Sequence, residues 1–117
     1  MSAYHYWNIA LNEGGVSRWG WAQNSLVTIN KVARTYKYNY EFYLLKHISR
    51  FVMPGAKRLD TFTLSGYENL LAFVNPDETV VILIQNDLGQ DLPVRIKVGD
   101  KVIGATLEAD SFNTFVV

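Results

Sequence analysis

Beyond residue 58 the hydrophobic and polar positions fall into short apolar runs separated by turn-forming clusters, at intervals of roughly 8 to 12 residues, the spacing of an antiparallel sandwich. Strands are expected over 58–65, 69–75, 79–86, 92–98, 101–107 and 111–117. Val94, Ile96 and Val98 alternate with Arg95 and Lys97, the pattern of a strand wet on one face. Thr79-Val80-Val81-Ile82-Leu83-Ile84 does not alternate, so it is expected to be a central strand covered on both faces. The breaks have turn chemistry of their own. Asn75-Pro76-Asp77-Glu78 offers a proline with preset φ and side-chain acceptors, Asn86-Asp87-Leu88-Gly89 ends in a glycine, and Gly99-Asp100 suits a two-residue hairpin loop. Val81, Leu83, Ile96 and Phe115 are the expected core.

The pattern changes upstream. Residues 39–53, NYEFYLLKHISRFVM, read as a helix with Asn39 placed to cap, Glu41 in the first turn and Pro54-Gly55 as the stop. Tyr40, Tyr43, Leu44, Ile48 and Phe51 make one apolar face and Phe42, Leu45 and Val52 a second, with Lys46 and Arg50 as a narrow polar ridge. A helix apolar around most of its circumference is expected to be covered on both sides. At the front, YHYWNIAL (4–11) reads as a strand running into a loop at Asn12-Glu13-Gly14-Gly15. Its two faces, Tyr4, Tyr6 and Asn8 against His5, Trp7 and Ile9, are both largely aromatic or apolar.

Composition sharpens the division at Pro54-Gly55. Eleven of the 16 aromatic residues, including all three tryptophans, lie in residues 1–51. Up to Met53 there are six basic and two acidic residues, and afterwards five basic and nine acidic, which suggests complementary surfaces. The net charge is zero, with 11 basic and 11 acidic residues, so the chain as a whole has no electrostatic pull toward nucleic acid. There is no cysteine, which excludes a disulfide framework and a thiolate metal site. The longest apolar run is too short for a membrane span, and no leader pattern opens the sequence.

Candidate chemistry is sparse. Asp77, Glu78, Asp87, Asp91, Asp100, Glu108 and Asp110 fall almost wholly in expected turns, where solvation keeps carboxylates from acid and base work. His5 and His47 lack ligand spacing, and no phosphate loop, nucleophile elbow or Ser/His/Asp set can be assembled.

Four motifs do carry a resemblance. They are Trp7-Asn8-x-x-Leu11-Asn12-x-Gly14-Gly15, then Trp19-Gly20-Trp21-x-Gln23-Asn24-Ser25, then Tyr43-Leu44-x-x-His47-x-Ser49-x-Phe51-Val52-x-Pro54-Gly55-Ala56-x-Arg58, and finally Ala72-Phe73-x-Asn75-Pro76-Asp77. In order and spacing, over essentially the whole chain, they resemble the C-terminal end of glycoside hydrolase family 30, the glucosylceramidase-like and β-1,6-glucanase-like enzymes. Val16 stands where that family commonly has a proline after the double glycine.

The resemblance implies a mainly β chain: an antiparallel β-sandwich over 56–117, preceded over 1–55 by a remnant of a (β/α)8 barrel. That remnant would comprise the last strand, its rim loop and the last helix. It implies a retaining mechanism with two glutamates about 5 Å apart, on barrel strands that would lie upstream of residue 1. No catalytic residue, metal or cofactor is therefore expected here, and the chain is expected to be inactive alone. Trp7, Asn8 and Trp19 are the expected substrate-lining residues, with Trp21 as packing. The expected partners are the barrel domain of the parent enzyme, its carbohydrate substrate and a second copy of the chain through the uncovered front strand; no nucleic acid and no membrane span. A carbohydrate-binding or interaction module without hydrolase activity is the alternative. Against it, the sandwich aromatics Phe62, Tyr67, Phe73, Phe112 and Phe115 sit mostly at core-facing positions of the expected strands.

Overall fold

The computed structural model describes residues 3–66 and 69–117, so Tyr67 lies outside the described residues. Among the described residues nine strands and one helix follow in order. They are β1 (Ala10–Asn12), β2 (Val27–Asn30), β3 (Thr35–Tyr38), α1 (Tyr40–Phe51), β4 (Lys57–Leu59), β5 (Leu70–Val74), β6 (Val80–Asn86), β7 (Leu92–Val98), β8 (Lys101–Leu107) and β9 (Ser111–Val116). The chain divides inside α1, after Lys46, into two compact units. Among the described residues no helix is long and apolar enough to cross a membrane.

The first unit holds a three-stranded sheet in the order β1-β2-β3. β1 runs parallel to β2, Ala10 opposite Val27, and β2 runs antiparallel to β3, Val27 opposite Tyr38. The strand expected over Tyr4–Leu11 is thus confined to Ala10–Asn12, because β2 is the neighbour that supplies its hydrogen bonds. The Leu26 and Val27 amides donate to the Asn8 and Ile9 carbonyls at 3.2 and 2.9 Å, and no ladder reaches back to Tyr4. The β2–β3 hairpin was not expected. Its turn has neither glycine nor proline: Arg34 takes the left-handed conformation (φ 54°), and the Asn30 side chain accepts the Ala33 amide at 2.8 Å.

Asn39 stands just before the helix as expected, but its side chain does not cap it. The Nδ2 donates to the Ser25 carbonyl and to Thr28 Oγ1, each at 2.8 Å, tying the start of α1 to β2. No residue of α1 is fully buried. Its exposed side is that of Tyr40, Tyr43 and Ile48, while Phe42, Leu45 and Val52 are half-buried. The helix ends on Asn75, which sequence suggested only as a turn former. Asn75 Oδ1 accepts the Met53 amide at 2.9 Å and its Nδ2 donates to the Phe51 carbonyl at 3.0 Å, so one side chain satisfies two groups at the helix exit.

The second unit is the expected antiparallel sandwich. One sheet has the order β4-β5-β6-β9, and β7 and β8 form a second, two-stranded layer. β6 is central, and its residues 81–84 are all buried. Ile82 and Ile84 form the core with Ala72 and Leu107, against which Leu92, Val94, Ile96, Val98 and Phe115 pack. Val81 and Leu83 point to the other face. Thr114 is opposite Leu83 in register, and its hydroxyl shares a 2.7 Å hydrogen bond with His47 Nδ1, so the last turns of α1 lie over this face. The β7–β8 loop is Gly99-Asp100 as expected, with Gly99 at φ 57°.

β4 is shorter than the expected 58–65. Leu59 pairs with Ala72 and β5 begins at Leu70, so a longer β4 would run past the end of its neighbour within two residues. Phe62 consequently stands in solvent, not in the core.

Three consequences are measurable. Leu83→Ala should destabilise the chain by about 2–5 kcal/mol in urea unfolding, as for a buried leucine. Asn86 is fully buried; its Nδ2 donates to the Gln90 and Glu108 carbonyls at 2.9 and 2.8 Å and its Oδ1 accepts the Leu88 amide at 3.1 Å. Asn86→Ala leaves those groups unpaired and should cost about 1–3 kcal/mol. Asp77 Oδ1 accepts the Thr79 hydroxyl at 2.6 Å and the Thr79 amide at 3.1 Å, which holds its carboxyl below the usual carboxylate range. The resulting stabilisation is present above the unfolded carboxylate pKa and is lost as pH falls through the lowered folded value. Carboxyl NMR titration should find the Asp77 midpoint below that of an ordinary aspartate, and Thr79→Val should move it upward.

Candidate functional site

The candidate site is the loop between β1 and β2. Two glycines start it for different reasons. Gly14 has φ 66°, a conformation costly for other residues, and a Cβ on Gly15 would lie 2.9 Å from Leu11 Cβ and 3.0 Å from the Asn12 carbonyl oxygen. The Gly15 amide donates to the Asn12 carbonyl at 2.9 Å, and the Gln23 amide returns to the Gly15 carbonyl at 3.2 Å, closing the base of the loop. Val16 and Ala22 bridge above it.

Ser17 organises the tip. Its amide donates to the Trp21 carbonyl and its carbonyl accepts the Gly20 amide, both at 2.9 Å. Its Oγ accepts the Trp19 and Trp21 amides, each at 3.2 Å. The two indoles therefore emerge from a fixed backbone, with centroids 5.8 Å apart and planes at 31°. The Arg18 guanidinium lies 4.4 Å over the Trp19 ring. Trp19 is 64% and Trp21 68% exposed. Trp21, expected to be packing, contacts the Trp19 ring and is otherwise exposed in this chain.

Of the other expected residues, Asn8 lies at the base of the loop. Its Nδ2 donates to the Asn24 carbonyl at 3.1 Å, and its Oδ1 has no hydrogen-bond partner among the described residues. Trp7 is 86% exposed and makes no ring contact among the described residues, so Trp19 is joined by Trp21, not by Trp7.

Beside the loop lies an open cleft of about 590 Å³, lined with Asn12, Gln23, Asn24, Ser25, Asn39 and Glu41 among others. Sequence reasoning missed it as a unit. The signal was the polar run Gln23-Asn24-Ser25, but the partners Asn39 and Glu41 reach it only through the undetected hairpin. Glu41 is held by Tyr6, whose hydroxyl is pushed upward in pKa by partial burial and then by the neighbouring carboxylate to which it hydrogen-bonds. Amides and hydroxyls of this kind suit a neutral, hydroxyl-rich ligand. Among the described residues no cluster of His, Asp and Glu could hold a metal.

Comparison with known proteins agrees with this geometry. The profile of the glycosyl hydrolase family 30 beta sandwich domain matches residues 55–115. Endo-1,6-beta-D-glucanase neg1 of Aspergillus fumigatus is 34% identical over 99 residues, which cover 79% of this chain and 20% of that protein. The crystal structure of SrfJ from Salmonella typhimurium superposes with a TM-score of 0.88 at 28% identity, over 95% of this chain and 25% of that one. The endo-beta1,6-glucanase BT3312 superposes with a TM-score of 0.80 at 25% identity, over 94% of this chain and 26% of that one. The chain spans about a fifth to a quarter of the length of these relatives. With the profile running from the end of α1 through β9, over more than half of its residues, this chain belongs to glycosyl hydrolase family 30, whose beta sandwich domain its second half forms.

Proposed function

We propose that this chain is the C-terminal accessory region of a retaining family 30 glycoside hydrolase that cuts β-glucan, and that its own residues supply no catalytic pair. The placement of its carboxylates carries the reading. Retaining hydrolysis needs two carboxyl groups about 5 Å apart across an anomeric carbon, one of them desolvated as the acid. Here Glu13 is exposed, Glu41 is engaged by Tyr6, and Asp77 is held ionised in a turn. The buried polar side chains among the described residues are Ser25, Asn75 and Asn86, none of them acidic. Two relatives bear the name of endo-1,6-β-glucanases, which favours a β-1,6-linked glucan over a glucosylceramide-like lipid.

In this reading residues 1–55 correspond to the last strand, rim loop and last helix of a (β/α)8 barrel, and the partner is the catalytic barrel itself. Two features support it: a strand opening at its C-terminal end into a built loop, and a helix whose Tyr40, Tyr43 and Ile48 side is left uncovered. Trp7, Asn8 and Trp19 would line the substrate path of the intact enzyme.

The purified chain should release product from aryl β-glucosides, aryl β-xylosides and β-1,6-glucan no faster than buffer does. Turnover above that rate, abolished by a single Asp or Glu substitution, would place the catalytic pair inside this chain and sink the proposal. Tyr4, Trp7 and Ile9 are largely exposed, and an uncovered apolar segment is a template for another copy. Sedimentation velocity should therefore show a species larger than a monomer at high micromolar concentration; a monomer throughout the range rules the association out.

A further inference from the structure

We infer that the β2–β3 hairpin is a docking element for an anionic lipid surface, with Lys31 and Arg34 meeting headgroup phosphates and Val32 entering the bilayer interface. The inference concerns the first unit alone and does not depend on which glycoside the parent cuts.

Charge is the first observation. Residues 14–40 contain Arg18, Lys31, Arg34 and Lys37 and no carboxylate. Three of these cations lie between positions 31 and 37, around the hairpin turn, and all three are exposed. Among the described residues none of the three has an ion-pair partner. A net charge of zero for the whole chain therefore hides a local positive patch, whose field is not cancelled by neighbours.

The second observation is what stands between the cations. Val32 is 97% exposed at the apex, and Tyr36, opposite Ile29 in register, is 66% exposed. An apolar apex flanked by cations, with tyrosines behind it, matches the layers of a bilayer surface. Hydrocarbon takes the apex, phosphates meet the cations, and tyrosine is favoured at the boundary with water. The apex is also preset: Asn30 Oδ1 accepts the Ala33 amide at 2.8 Å and four residue pairs join the two strands, so little ordering is left to pay on docking.

The third is a hollow on the same hairpin. An open cavity of about 420 Å³ is lined by Val27, Ile29 and Tyr36 together with Lys31 and Arg34. Apolar walls combined with two cations suit an anion that carries hydrocarbon, as a phospholipid does. Nucleic acid fits less well. It supplies phosphates but nothing for Val32 to enter, and the Tyr38 ring that a base would need is already stacked on Phe42 at 4.0 Å.

The full chain would be co-sedimented with phosphatidylcholine vesicles and with vesicles that also contain phosphatidylglycerol. It should bind the second kind only, and added salt should weaken the binding. Lys31→Gln combined with Arg34→Gln should weaken it about tenfold or more, whereas Arg34→Lys, which keeps the charge, should preserve it. Val32→Asp should abolish binding and Val32→Leu retain it. All these positions are exposed in a turn, and circular dichroism of each variant should match the parent chain. Trp7→Ala, an exposed apolar side chain outside the hairpin, should bind as the parent does. Equal binding to neutral vesicles, or indifference to the paired glutamine changes, overturns the proposal. So does duplex DNA bound with an affinity that Val32→Asp leaves unchanged, which assigns the patch to nucleic acid. Release of the chain from vesicles by inorganic phosphate at an ionic strength where chloride does not release it assigns the cations to a free anion and likewise overturns the proposal.

Discussion

A strand with apolar side chains on both faces must lie between two layers, and β6 imposes that condition on the whole second unit. Ile82 and Ile84 need the β7–β8 layer on one side; Val81 and Leu83 need a cover on the other. The last turns of α1 provide it, through the His47–Thr114 hydrogen bond and the ring of Phe112, whose centroid is 5.5 Å from that of His47. Asn75 then fixes where the helix must stop. It sits in the turn that leads into β6 and binds the backbone on both sides of the helix exit, so the register of the central strand and the end of the helix are set by one side chain. This is why the structural division falls inside α1: the last turns of the helix are part of the sandwich.

The sandwich was the most legible part because its signals are local. Continuous apolarity marked β6, strict alternation marked β7, and Pro76, Gly89 and Gly99 punctuated the runs. β5 through β9 consequently lie within about one residue of their expected ends. Where the reading failed, the deciding contact came from elsewhere in the chain. β4 is cut short by the starting point of β5, which no pattern within 58–65 encodes. The β2–β3 hairpin went unseen because its turn uses Arg34 in a left-handed conformation and an Asn30 side-chain bond instead of glycine or proline. Asn39 has the identity and position of a helix cap, yet the antiparallel pairing of β2 with β3 places Ser25 and Thr28 within its reach and diverts it.

The candidate site divides in the same way. Asn8, Trp19 and the double glycine could be singled out by residue type and family resemblance, whereas the function of Ser17 was invisible. Serine is common in loops, and only the return of the chain at Trp21 shows that its hydroxyl accepts two amides at once. The cleft beside the loop is likewise assembled from Asn12, Gln23 and Asn39, residues separated by up to 27 positions and brought together by a hairpin that the pattern did not reveal.

The two units also differ in how their apolar surface is handled, and that difference separates two kinds of exposed aromatic. In the second unit the large apolar side chains mostly face the core, and among the described residues no buried side-chain donor or acceptor lacks a partner. In the first, Tyr4, Trp7, Ile9, Val32 and Tyr36 stand in solvent. Exposure alone does not distinguish a side chain awaiting cover from one built to meet a ligand. Backbone restraint does. A residue destined for burial needs no local lock, since the covering layer orders it, and Trp7 has no such bond among the described residues. Trp19 and Trp21 have their amides bound to one hydroxyl and a glycine between them at φ 83° that only the turn requires. Locking exposed indoles costs chain entropy, which the contact between the two rings and the Arg18 guanidinium over Trp19 offset in part.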